Sequence, residues 1–149
     1  MSEGIISDVK SLLKRVGHLE TRSHQHLVVL NTHLSSANWN SKALSTTSKT
    51  VIDLSAEFGV PANIKAVLVR IYARDAASYA GTTYFFGLSP NNTSGTLAVA
   101  VRPVGVVNDA LVEGYGLCPC NADGDVYYQC AASGAATMDA SIIIWGYLI

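Results

Sequence analysis

Charge is what this sequence has least of: 14% of its 149 residues are Asp, Glu, Lys or Arg, against about 25% in an ordinary soluble domain, while 49% are hydrophobic. Long apolar runs are missing as well. None approaches the roughly 18 to 20 residues that a bilayer span takes, and no basic-then-apolar leader opens the chain, so neither membrane insertion nor an export signal is expected. Contact between subunits is left as the destination for the surplus apolar surface. The short patterns of familiar catalysts are absent too: there is no Gly-x-Ser-x-Gly, phosphate loop, dinucleotide fingerprint or His-Glu-x-x-His, and no enzyme is expected.

Cysteine is confined to Cys118, Cys120 and Cys130. Cys-Pro-Cys with one distant Cys lacks the fourth ligand of a structural zinc site, so free and mostly buried thiols are expected. A bridge from Cys118 or Cys120 to Cys130 is geometrically open across the turn at 122–125. Basic residues are nearly missing from the second half. Residues 1–74 hold nine Lys and Arg against five acids, a balance of +4, whereas residues 75–149 hold Arg102 alone against six acids, a balance of −5. The overall −1 argues against a nucleic-acid partner, and the asymmetry predicts that the two ends face different partners.

What is there begins with a seam. Ile5, Val9, Leu12, Val16 and Leu19 are spaced four, three, four, three, the heptad pattern of a coiled coil, with Asp8, Lys10, Lys14, Arg15 and Glu20 between them. Ile6 and Leu13 broaden the stripe toward the other reading, an amphipathic helix packed on its own domain. Little more than two heptads, weakened by Gly17, cannot hold together alone and need help from the rest of the molecule. From Ser23 to Thr47 the periodicity lapses, which reads as a connector.

Beyond it come short strands, expected at 49–55, 64–74, 82–88, 96–102, 111–117, 125–132 and 139–148, with turn residues between them. Ser89 to Gly95 separates two alternating runs, and Asp123-Gly124 is a hairpin dipeptide, since Gly accepts the positive φ such turns need. Val67, Val69, Ile71 and Ala73 share one face, as do Leu97, Val99 and Val101. On the last strand Ile142 and Ile144 point one way while Ile143, Trp145, Tyr147 and Ile149 point the other, so both faces are apolar. That strand is expected to be central and interfacial. The fold expected is mainly β: an antiparallel β-sandwich, jelly-roll-like head over 48–149, a connector over 23–47, and a short N-terminal α-helical coiled-coil stalk or anchor over 1–22.

Ser45 to Ser55, Phe58-Gly-Val-Pro61, Lys65 to Arg70 with Arg74-Asp75, and the closing Asp125-Val-Tyr-Tyr128 and Ile142 to Tyr147 resemble a β-domain that recurs in tail-fibre and related structural proteins of tailed bacteriophages. The likeness covers about residues 39–149 and consists of strand and turn patterns, not catalytic signatures. It implies a homotrimeric virion part assembled in the host cytoplasm, a reducing compartment that argues against a disulfide. The basic first part would anchor to other virion proteins of tail or capsid, and the acidic head would face outward toward a host surface glycan or protein. With Met1 close to the stalk no extended shaft is expected, which suits a tail fibre or spike appendage, or else a capsid decoration (cement or head-fibre) protein.

The trimer interface is expected at Ile5, Val9, Leu12, Val16 and Leu19 of the stalk and at Ile143, Trp145 and Tyr147 of the last strand. No cofactor is expected. On a trimer axis, however, His24-Gln25-His26 would gather six imidazoles, and similar pairs hold iron in some phage fibres, so His24 and His26 are the candidates for a metal ion. The competing reading is two solvated histidines in a polar segment. None of the four histidines falls in the expected strands. Asp123, Asp125 and Asp139 form a conceivable carboxylate set for glycan cleavage, but two of them sit in a turn, where Asp is expected for local hydrogen bonding. Among the aromatic residues, Tyr79, flanked by Ala77, Ser78, Ala80 and Gly81, is the one expected in an exposed, receptor-facing loop.

Overall fold

A computed structural model describes the backbone of residues 2–20 and 25–149 and the side chains of 4–15 and 25–149; Val16, Leu19 and His24 of the expected sites lie outside the described side chains. Helix α1 spans Ser2–Glu20. Ile5, Ile6, Val9, Leu12 and Leu13 are all exposed along it, so this part of its apolar stripe has no partner among the described residues.

The rest is mainly β. Strands β1 (Leu27–Ser35), β2 (Lys42–Leu44), β3 (Thr47–Ile52), β4 (Ala66–Asp75), β5 (Phe85–Ser89), β6 (Val99–Val101), β7 (Val112–Pro119), β8 (Val126–Ala131) and β9 (Met138–Leu148) form two antiparallel sheets. The first has the order β1-β9-β4-β7, with β2 also pairing to β9; the second has the order β3-β8-β5-β6. A short helix α2, Leu54–Phe58, follows β3 because the Asp53 side chain accepts the Ala56 N–H at its start. Leu54 and Phe58 on its buried side join the core.

Alternation explains the inner faces. Val67, Val69, Ile71 and Ala73 of β4, Ile142 and Ile144 of β9, and Phe86 and Leu88 of β5 are all buried in one cluster that draws on both sheets. Each fully buried Val, Leu, Ile or Phe stabilises by about 1.5–3 kcal/mol. Cys118 and Cys130 lie in that cluster, Cys120 is half-buried against it, and all three are free thiols, as expected.

Four expectations need correction. The segment 23–47 is more than a connector: β1 and β2 within it pair with β9, through Leu34↔Ile144 and Leu44↔Met138 among others. His33 therefore lies on a strand. Asp123-Gly124 does not join paired strands, because β7 belongs to the first sheet and β8 to the second; Gly124, at φ 86°, makes a turn that crosses between them. Leu97 does not share the face of Val99 and Val101. A Cβ on Gly87, whose neighbours Phe86 and Leu88 point into the core, would lie 2.8 Å from Leu97 Cδ1, so Leu97 covers the other side of the second sheet. Lastly, the register of β9 against β4 shifts between Leu68↔Gly146 and Val69↔Ile144. The extra residue breaks strict alternation, and Tyr147 packs against the core instead of sharing a face with Ile143.

Candidate interaction surface

The outer face of the first sheet follows from the register. With the odd-numbered residues of β4 in the core, Leu68, Arg70, Tyr72 and Arg74 must point outward. Directly opposite on β7 stand Leu117, Tyr115 and Glu113, and opposite on β9 stand Ile143, Ser141 and Asp139. Opposed residues share a face, so these line one side of the sheet; Ser141 is covered, its hydroxyl oxygen accepting the Ser41 N–H at 2.7 Å, and the others are half-buried or exposed.

Strand β7 is unusual because its small residues point inward and its large ones outward. A Cβ on Gly114 would lie 3.0 Å from Val101 Cγ1, and one on Gly116 would lie 2.7 Å from Val99 Cγ2. The glycines thus let β6 close the two sheets along this edge. The bulky alternates are left outside: Tyr115 is 66% exposed and Leu117 50%. At the other edge Val29 of β1 is exposed, and the rings of His33 and Trp145 lie 5.2 Å apart at 59°.

The charges on this surface are matched internally. Arg70 meets Glu113 at 2.6 Å, with its guanidinium 5.4 Å from the ring of Tyr72 and 5.8 Å from that of Tyr115. Arg74 meets Asp139 at 2.9 Å. A face whose cations already have carboxylates and rings beside them can be covered without leaving a charge unpaired. Such a face can bind apolar surface; it holds no nucleophile with a base beside it.

Of the expected interface residues, Ile143 is on this surface and half-buried; Trp145 is half-buried beside His33. Tyr147 faces its own core. Ile5, Val9 and Leu12 are exposed on α1, apart from the sheet surface. The register brings Tyr115, Leu117, Leu68 and Tyr72 to Ile143. Sequence reading missed them, although the pattern Gly-Tyr-Gly-Leu, large outside and small inside, was the available signal.

His26 extends the β1–β9 ladder through mutual backbone hydrogen bonds with Ile149 at 3.1 Å. Among the described residues no three His, Cys, Asp or Glu side chains gather as a metal site. Asp139 and the turn carrying Asp123 and Asp125 are separated: Asp139 pairs beside Arg74, whereas Asp123 receives the Asn63 N–H just before the far end of β4. The strand between makes that roughly 25 Å. Asp125, raised above the usual carboxylate range mainly by burial, accepts the Leu54 N–H at 3.1 Å and so holds α2 in place.

A groove of about 360 Å³ runs beside Trp39 and Tyr128, with Lys42 4.7 Å from the Trp39 ring centre. Its carboxylates are already engaged: Asp53 caps α2, and Glu57 accepts from Ser36 and Asn38. No helix among the described residues is long and apolar enough to cross a membrane. Comparison with protein-family models and with curated proteins returned no match to this chain.

Proposed function

We propose that the chain is a structural virion protein of a tailed phage, a homotrimeric tail fibre or spike appendage that takes part in host attachment and has no catalytic role. The observation that carries this reading is the apolar, internally charge-matched outer face built on β4, β7 and β9. Exposed contiguous apolar surface of this kind marks an interaction site. Three copies meeting through it would cover Tyr115, Leu117 and Ile143 and bring their α1 helices together, where Ile5, Val9 and Leu12 supply the coiled-coil seam that a single helix leaves in water.

The head in this reading is a β-sandwich of jelly-roll type. Its support is the strand order: the last strand lies between the first strand and β4, and the second sheet runs β3-β8-β5-β6, as two interleaved Greek keys would require. The strand and turn pattern of residues 39–149 supports membership among phage tail structural proteins. The basic stretch of α1, with Lys10, Lys14 and Arg15, is the anchor to other virion proteins.

Removal of residues 1–22 tests the division of labour. The shortened chain is expected to fold but to be missing from assembled particles; normal incorporation would overturn the assignment of the anchor. A second reading, capsid decoration, draws on the same exposed apolar and basic helix, which would suit a clamp across capsid subunits. Quantitative mass spectrometry of particles separates the two: tens of copies at most mean a tail appendage, and hundreds mean decoration.

A further inference from the structure

One end of the first sheet has a construction that subunit contact does not use. Three loops meet there: 76–84 after β4, 102–111 between β6 and β7, and 132–137 between β8 and β9. All three close on Asp75, a fully buried carboxylate whose hydrogen-bond donors are neutral. Its oxygens accept from the Ala77 N–H at 2.9 Å, the Ser133 N–H at 3.0 Å and the Thr137 hydroxyl at 3.3 Å. Its backbone carbonyl accepts from the Ser78 hydroxyl at 2.7 Å and the Asp109 N–H at 3.0 Å.

Two further bonds tie the first loop to the second: Gly105 N–H to the Ser78 carbonyl and Tyr79 N–H to Asn108 Oδ1, both at 2.9 Å. Asp109 and Ala136 take left-handed backbone, at φ 62° and 53°, which residues other than glycine hold when their surroundings fix it. What this bracing presents to solvent is Tyr79, 77% exposed, and Val107, 75% exposed. These are the two most exposed large apolar side chains among the described residues, with exposed Leu111 close by in sequence.

We propose that this braced tip is a docking knob for a host surface protein, received in an apolar socket with a basic rim; the inference rests on the host-attachment reading and names its partner. Position is the first argument. Leu27, where the chain arrives from α1, pairs with Leu148, whereas Asp75 pairs with Met138 ten residues away, so the tip lies roughly 30 Å from the anchored end.

Chemistry is the second. Residues 76–84, 102–111 and 132–137 contain one cation, Arg102, whose guanidinium lies 5.5 Å from the Phe85 ring centre, and one carboxylate, Asp109. A single cation is not the basic cluster that holds a protein on an anionic membrane. A saccharide could use the exposed polar groups Thr82, Thr83 and Asn108, but it would leave Val107, as exposed as the Tyr79 ring, without an apolar partner. An apolar socket on a protein covers Tyr79 and Val107, and a Lys or Arg at its rim matches Asp109.

The test uses full-length protein labelled at its N-terminus. It is added to cells of the strain on which the phage grows, untreated or treated with protease or periodate, and to vesicles of anionic phospholipid. Wild type is expected to bind untreated and periodate-treated cells, and neither protease-treated cells nor vesicles. Tyr79→Ser combined with Val107→Ser should weaken binding about tenfold or more at unchanged mass and melting temperature; Asp109→Lys should weaken it too. Wild-type affinity in the double variant, loss on periodate alone, or vesicle binding that the double variant lacks would each overturn the knob. If the wild type binds no cells at all, the host-attachment reading itself falls, and the knob with it.

Discussion

On the inner side of β4 and β9, Val67, Val69, Ile71, Ile142 and Ile144 are at most 1% exposed; on the outer side of the same sheet, Leu68, Tyr72, Ile143, Tyr115 and Leu117 are as apolar but only partly covered or exposed. Hydrophobicity does not distinguish the two faces, and steric fit does. The second sheet can approach β7 only where Gly114 and Gly116 point, so the large side chains of that strand end up outside. The inner face is closed by the chain itself, and the outer face is the one that the proposed trimer would cover.

The contrast is sharpest in the core. Phe86→Ala, at a fully buried position in the second sheet, should cost about 3–5 kcal/mol of unfolding free energy in a urea titration. Leu117→Ala on the outer face should cost less than about 0.5 kcal/mol in the separated subunit. Similar losses at both positions would mean that the faces are not as different as their exposure implies.

Asp75 comes next. Burial works to raise its pKa, but the hydrogen bonds from Ser133, Ala77 and Thr137 outweigh it and hold the carboxyl below its ordinary value. A carboxyl lowered on folding stabilises the native state above its unfolded value of about 3.9, and that contribution is lost as pH falls through the folded value. Asp75→Ala, which strands the buried donors, should cost about 3 kcal/mol at pH 7. Asp75→Asn should show a smaller decline in urea midpoint than wild type as pH is lowered below about 4. Gly116→Ala follows, at about 1–3 kcal/mol, because the added methyl group meets Val99. Smallest is a chemical effect: burial pushes Cys118, Cys120 and Cys130 up to about 12, so a thiol reagent at pH 8 should label none before unfolding and all three afterwards.

The strands β3 to β9 were legible because most alternate and all are bounded by turn residues, and their observed ends differ from expectation by at most three residues. The first of them ran too far only because Asp53 starts a helix where the β pattern of the sequence continues. β1 and β2 were not legible. Asn31-Thr-His33 has no apolar alternation of its own, and its strand is fixed by β9, more than a hundred residues away. The same distance hides the surface: the contact of His33 with Trp145 and the inward turn of Tyr147 depend on a register shift that periodicity cannot display. Tyr79 was legible from its small neighbours. Asp75 was not, because its donors Ser133 and Thr137 come from another loop.

The central claim is that copies of this chain cover the outer face of the first sheet, and the mass of the full-length protein in dilute solution tests it most directly. Multi-angle light scattering should give three times the 15.8 kDa chain mass for wild type. Tyr115→Ser combined with Leu117→Ser should give a folded species of lower mass, with the same β signature in circular dichroism. A wild-type chain that is a stable monomer with that signature intact would contradict the account.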